Sequence, residues 1–243
     1  MLPKIDVPKY TLKLPSTGKK IEYRPFLVKE EKILLTAMET TEDDDMERAI
    51  RTATKHIIDN CTFGKINADK LPEFDVDFLF LNIRSKSRGE EVDMSFTCNN
   101  EVDGKECGEI NSLKVMIDKV RVKFPEEDLT KVEVTEDIGI KFKYLTTGEL
   151  GRYEQEKNNV TKLFKVIVDS IDYIYDDEKV YKGSETPKKE LLEFIESLND
   201  VVFEKINRFF NEKPMLNHVE KFTCKKCGYK HVIELEGLTS FFG

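Results

Sequence analysis

The sequence predicts an α+β protein: a helical N-terminal part with a β-hairpin arm, a discontinuous four-cysteine ribbon, and an αβ segment inserted between the ribbon's halves. Three observations carry this. Alternating polar and apolar residues give way to a 3.6-residue period at Val28. Two matched cysteine turns, Phe96-Thr97-Cys98 to Cys107-Gly108 and Phe222-Thr223-Cys224 to Cys227-Gly228, are each flanked by strand-like sequence. Between them lie more than a hundred residues of mixed helical and extended character. The boundaries read as 1–91 for the arm and helices, 92–124 with 214–243 for the ribbon, and 125–213 for the insert.

In chain order, Tyr10–Leu14 and Lys20–Tyr23 alternate around the turn Pro15–Gly18, and Pro25 closes the second strand. The four-residue turn suits a hairpin. Such an arm can pair with its own domain or with a neighbour's sheet edge. Ile33, Leu34, Ala37 and Met38 make the stripe of a first helix. The acidic run Thr40–Asp45 reads as a break whose carboxylates favour the positive end of the next helix. Met46, Ala49, Ile50, Ala53, Ile57 and Ile58 form the second stripe, ending near Asn60–Gly64 with Gly64 as left-handed cap. Cys61 falls at that helix end as a small apolar residue, and His56 lies off the stripe. Leu71-Pro72-Glu73 opens a third helix, with proline in the first turn. Phe74, Phe78, Leu79, Leu81 and Ile83 surround most of its circumference, so it should be the most buried.

Strands follow at Val92–Thr97, Leu113–Ile117, Val120–Phe124, Val132–Val134 and Ile140–Tyr144. A long helix is expected from Glu149 to about Ile171, with Val160, Leu163, Phe164, Ile167, Val168 and Ile171 inward. Tyr173–Tyr181 reads as a short hairpin. Thr186-Pro187 caps a helix through Leu198, and Asn199-Asp200 caps another to Phe210. Val232–Leu238 is the outgoing strand, and Phe241 and Phe242 after it should dock in the core, with exposure to a partner as the alternative.

The cysteine turns carry the chemistry. Cys98, Cys107, Cys224 and Cys227 fit a zinc ribbon, in which two turns each offer two thiolates to one structural Zn²⁺. The glycine after each second cysteine lets the backbone turn past the sulfur. The C-x-x-C turn at Cys224 is a strong signal, whereas the eight residues between Cys98 and Cys107 make a looser one. Two disulfides, a redox pair at Cys224 and Cys227, or free thiols are the alternatives. Four thiolates leave no place for a reactive water, so the metal is structural rather than catalytic. Nothing in the pattern makes His231 a ligand.

A chain of 243 residues with 35% charged residues and net charge −8 argues against general nucleic-acid binding. The exception is local: Lys221, Lys225, Lys226, Lys230 and His231 make the second turn basic. A zinc-ribbon nucleic-acid-binding or transcription accessory protein is therefore the alternative reading. No apolar run spans a membrane, and the N-terminus carries no apolar signal segment, so synthesis in a reducing cytosol is expected. No phosphate loop, nucleophile elbow or His-Glu-x-x-His is present, and the three histidines are scattered. The reading is that of an interaction protein and not an enzyme.

Leu14–Lys19 with Tyr23–Lys32, Asn60–Gly64, Leu71–Asp75, Ile83–Glu90 and the cysteine turns together resemble the T4-type bacteriophage baseplate hub family. That family includes a hub subunit and a related hub assembly catalyst. The resemblance is most specific over the first ninety residues and general from Phe124 to Lys213. It implies a tail protein acting in the host cytoplasm during hub assembly, with a place in the virion's tail baseplate as the alternative. Its implied partners are other hub proteins and the tape-measure protein. It implies no catalytic residues, since catalysis there means promoting assembly.

Overall fold

The computed structural model describes residues 6–39 and 43–241. In chain order the elements are β1 (Tyr10–Lys13), β2 (Lys20–Tyr23), α1 (Val28–Met38), α2 (Asp43–Cys61), α3 (Glu73–Arg88), β3 (Glu91–Thr97), β4 (Glu101–Val102), β5 (Lys105–Glu106), β6 (Ile110–Met116), β7 (Arg121–Lys123), β8 (Lys131–Glu133) and β9 (Gly139–Phe142). They continue with α4 (Thr147–Gly151), α5 (Asn159–Ser170), β10 (Ile171–Tyr175), β11 (Val180–Lys182), α6 (Lys188–Glu196), α7 (Asp200–Asn211), β12 (Met215–Thr223) and β13 (Lys230–Glu236). This is the α+β mixture the sequence predicts. No helix among the described residues is long and apolar enough to cross a membrane.

The chain divides into two compact units. The first joins residues 1–68, 73–123 and 215–243. Its β1–β2 hairpin pairs Tyr10 with Tyr23 and Lys13 with Lys20. The turn is latched by Asp75 of α3, which accepts the Ser16 N–H at 3.0 Å and the Ser16 hydroxyl. After β2 the chain enters α1 through a buried ion pair, Arg24 Nη2 to Glu30 Oε1 at 2.9 Å. Glu30 also accepts the Leu27 N–H at 2.9 Å, so one carboxylate serves both the helix start and the guanidinium. Cys61 is fully buried at the end of α2, with Arg24 Nη1 3.6 Å from its sulfur. Gly64 takes positive φ, 69°, and donates to Asp59 O, closing the helix as expected.

α3 is the buried helix the crowded apolar pattern requires: Phe74, Leu79, Phe80, Leu81 and Ile83 are all enclosed. Leu81 packs with Val92, Val115, Ile117, Val120, Leu216, Leu235 and Phe241, which joins the helix to both strand pairs of the ribbon. Phe241 is docked as expected, whereas Phe242 lies outside the described residues. So do the acidic run's Thr40–Glu42, and the side chains of residues 43–47, Met46 among them, are not described. Ala37, Ala53, Ile57 and Ile58 face inward as their stripes require. Met38 does not: it is exposed, whereas Ala37 is the buried residue of the last α1 turn.

The second unit comprises residues 69–72 and 124–214. Its antiparallel sheet runs β11-β10-β9-β8. Its core is built from Ile140 and Phe142 of the sheet, Ile167 and Val168 of α5, Leu191 and Ile195 of α6, and Val202, Ile206 and Phe209 of α7. Phe142 and Phe209 stack at 5.2 Å. The single helix expected over 149–171 is instead two helices. Thr146 and Glu149 form a capping box that starts α4, and the Asn158 side chain accepts the Thr161 N–H at 2.9 Å to start α5. Gly151 and the polar stretch 152–158 carry no stripe to hold a continuous helix, and Ile171 already belongs to β10. Val160 is consequently exposed. α6 starts after Pro187 without a side-chain cap, so Thr186 does not serve as one. Asn199 caps α7, accepting the Val202 N–H at 3.0 Å.

Candidate metal centre

Two strand pairs carry the four cysteines. β3 and β6 pair from Glu91↔Met116 to Thr97↔Ile110, and the first cysteine turn joins them. β12 and β13 pair from Asn217↔Glu236 to Thr223↔Lys230, and the second turn joins those. The two turns have the same backbone geometry. Cys98 N–H donates to Glu109 O at 2.8 Å, and Cys224 N–H to Tyr229 O at 2.8 Å. Gly108 N–H donates to Cys98 O at 3.0 Å, and Gly228 N–H to Cys224 O at 3.0 Å. Both glycines have positive φ, 66° and 73°, where a side chain would strain the backbone.

The loose spacing of the first turn has a simple origin. Residues 101–106 leave the turn as a minute hairpin, β4 against β5, reversing at Asp103 and Gly104, both with positive φ. Cys107 N–H donates to Asn100 O at 2.8 Å across its base. Without those residues the turn reads Cys98-Asn99-Asn100-Cys107-Gly108. The first half is thus a C-x-x-C turn with a finger inserted before its second cysteine.

The folded chain brings the four predicted cysteines together. Their sulfurs all lie within 4.8 Å of one another. Cys98 and Cys227 are 3.6 Å apart, and Cys107 and Cys224 are 3.9 Å apart. A tetrahedron with metal–sulfur bonds of about 2.3 Å has edges of about 3.8 Å. The spacing therefore suits one shared ion, and it is nearly twice a disulfide bond of about 2.05 Å. Cys98, Cys107 and Cys224 are buried and Cys227 is half-buried. Four thiols in this space can hold a metal ion.

Neighbouring polar groups bind the two turns to each other. Asn111 is buried; its Oδ1 accepts the Lys225 N–H at 3.1 Å, and its Nδ2 lies 3.7 Å from Cys224 Sγ. Asn100 Nδ2 lies 3.7 Å from Cys227 Sγ. Lys226 Nζ donates to Cys107 O at 3.0 Å. Backbone N–H groups of Cys227 and Lys226 aimed at Cys224 lower its thiol to about 6, whereas burial pushes Cys98 up to about 12.

Sequence reasoning missed three of these partners. His231 was set apart from the ligands, and the structure places its Nε2 3.1 Å from Cys98 Sγ. Asn111 had a legible signal: alternation along β6 puts it on the same inward face as Val115, where an amide needs partners. Asn100 had none, because its place depends on the finger. The other histidines lie elsewhere, His56 exposed on α2 and His218 paired with Glu220 at 3.1 Å. Cys61 lies outside the cluster, and burial raises its thiol to about 12.

One family model, described as T4 bacteriophage base plate protein, matches residues 7–243. No curated protein and no solved structure matches the chain.

Proposed function

Because the chain belongs to the T4 bacteriophage base plate protein family, we propose that it is a baseplate hub protein or a hub assembly factor that works by binding other proteins. The family match over nearly the whole chain carries this reading. Its partners are other hub proteins and the tape-measure protein, met in the host cytoplasm during tail assembly. It forms contacts and performs no covalent chemistry. Two exposed features suit such a role: Val28, Leu35 and Met38 along α1, and the finger 101–106.

In this reading the four cysteines hold one structural Zn²⁺. An all-thiolate tetrahedral set favours zinc over harder cations and leaves no open position for a substrate. The ion contributes rigidity: it fixes two strand pairs whose cysteines are more than a hundred positions apart.

Co-expression with the phage's hub proteins and tape-measure protein tests the assignment. A stable complex with a hub protein, and loss of baseplates on deletion of the gene, are expected. Normal baseplates from the deletion phage would overturn it. A nucleic-acid role is the second reading, favoured by exposed Lys221, Lys225, Lys226 and Lys230 beside exposed Tyr229. It requires salt-dependent retention on nucleic acid that weakens in the Lys225→Glu, Lys226→Glu variant.

A further inference from the structure

Four thiolates around a divalent ion leave a net charge of −2 inside the ribbon, and such a charge is costly unless N–H groups surround it. Three side-chain nitrogens each approach a different sulfur: Asn111 Nδ2 at Cys224, Asn100 Nδ2 at Cys227, and His231 Nε2 at Cys98. The contacts are not equal. The two amides stand at 3.7 Å, whereas His231 Nε2 stands at 3.1 Å from a cysteine that has no exposed surface.

The imidazole is held where it is by packing. His231 lies directly opposite Phe222 in the β12–β13 register. The two rings stack at 4.8 Å and 14°, and Tyr229 meets the imidazole edge-on at 4.8 Å. The donor atoms that lie mutually within 4.8 Å are the four sulfurs, without Nε2. The ring therefore stands beside the tetrahedron and not in it. A metal-bound thiolate has no hydrogen to give, so in this contact the hydrogen is on Nε2.

On the zinc reading above, we propose that His231 is a positioning residue of the metal centre. Its Nε2–H donates to the Cys98 thiolate, keeps that sulfur on the metal, and so sets how long the ion stays bound. The role is one no cysteine pattern records. Stacking against Phe222 supplies the orientation, and the N–H supplies the offset to the buried charge. Outer partners of this kind typically change metal affinity about 10- to 100-fold.

Two variants of the full chain separate the donor from the ring. His231→Phe keeps an aromatic on Phe222 but removes the N–H. His231→Gln removes the aromatic but keeps an N–H donor. Zinc content and zinc transfer to a chromogenic chelator are measured at one fixed pH, beside the thiolate-to-Co²⁺ charge-transfer bands of the cobalt-loaded protein. The expected result is one zinc per wild-type chain, release about 10- to 100-fold faster from His231→Phe, and release near wild type from His231→Gln. The charge-transfer bands shift in the phenylalanine variant alone. Equal release from wild type and both variants overturns the His231 proposal and leaves the metal centre standing. Equal acceleration in both variants, or a His231→Gln protein that folds but loses its metal, overturns it in favour of ring packing. A wild-type chain that takes up neither zinc nor cobalt overturns both.

Discussion

The backbone N–H of Cys107 donates to the carbonyl of Asn100 at 2.8 Å, across six residues that leave the cysteine turn and return to it. Residues 101–106 are exposed throughout, and their two strands pair only with each other. They contribute nothing to the sulfur cluster except the space between two cysteines. Deleting 101–106 should therefore leave a regular C-x-x-C turn. On the zinc reading, the shortened protein is expected to bind as much metal as wild type and to melt within a few degrees of it. Atomic absorption and a thermal scan check this. A large loss of metal would show that the finger shapes the turn.

Replacing Cys224 by Ser removes one of the four clustered sulfurs and, on the reading of one ion held by four thiolates, should abolish stoichiometric metal binding. Structural zinc sites contribute on the order of 10 kcal/mol of apparent binding energy, so the ribbon loosens. Hydrogen exchange should quicken along β3, β6, β12 and β13. The core around Ile140, Phe142 and Ile206 contains no cysteine and should keep its protection. Uniform loss of protection through both units would contradict this.

Arg24 and Glu30 form an ion pair almost closed to solvent. Burial works to raise the Glu30 carboxyl, but Arg24 and the Leu27 N–H overrule it and hold it below its ordinary value. Arg24→Met removes the buried partner and leaves that carboxylate only the exposed Lys29 ammonium at 3.5 Å, so it should cost up to about 3–5 kcal/mol. Replacing both residues by methionine should recover most of the loss. Urea unfolding of the three proteins gives the comparison. A single variant as stable as wild type would mean the pair is solvated.

Asp75 is buried, and burial raises its carboxyl despite the two Ser16 donors. A raised folded value means that its favourable contribution is complete below the unfolded pKa of about 3.9 and is lost as pH rises through the folded value. Asp75→Asn keeps the shape without the charge. It should match wild type in acid and become relatively more stable as pH rises toward neutrality, then level off. Denaturant midpoints at several pH values measure this. A difference independent of pH would refute the assignment. Ser16→Ala, which strips one donor from the buried carboxylate, should cost about 1–3 kcal/mol at neutral pH.

Much of this protein was legible in its sequence because the deciding forces act over short distances along the chain. Alternation gives β1 and β2, the 3.6-residue stripe gives α2 and α3, and Gly64, Gly108 and Gly228 mark turns that need positive φ. The four cysteines stood out because a tetrahedral thiolate site requires paired sulfurs on tight turns. Where periodicity was the only guide it failed locally: the helix expected over 149–171 breaks at 152–158, since Asn158 offers a fresh cap that no stripe outweighs.

Tertiary structure alone decided which groups meet across the chain. The finger is invisible as an insertion until Cys107 N–H is seen to close on Asn100 O. His231 reaches Cys98 from 133 positions away, and Asn111 reaches Cys224 from 113. Asp75 finds Ser16 from 59. Such contacts leave little trace in local pattern, because a hydrogen bond is specified by where two backbones bring its partners and not by the residues on either side of them. The sequence chose the atoms that can bind a metal; the packing of two strand pairs chose which other atoms surround it.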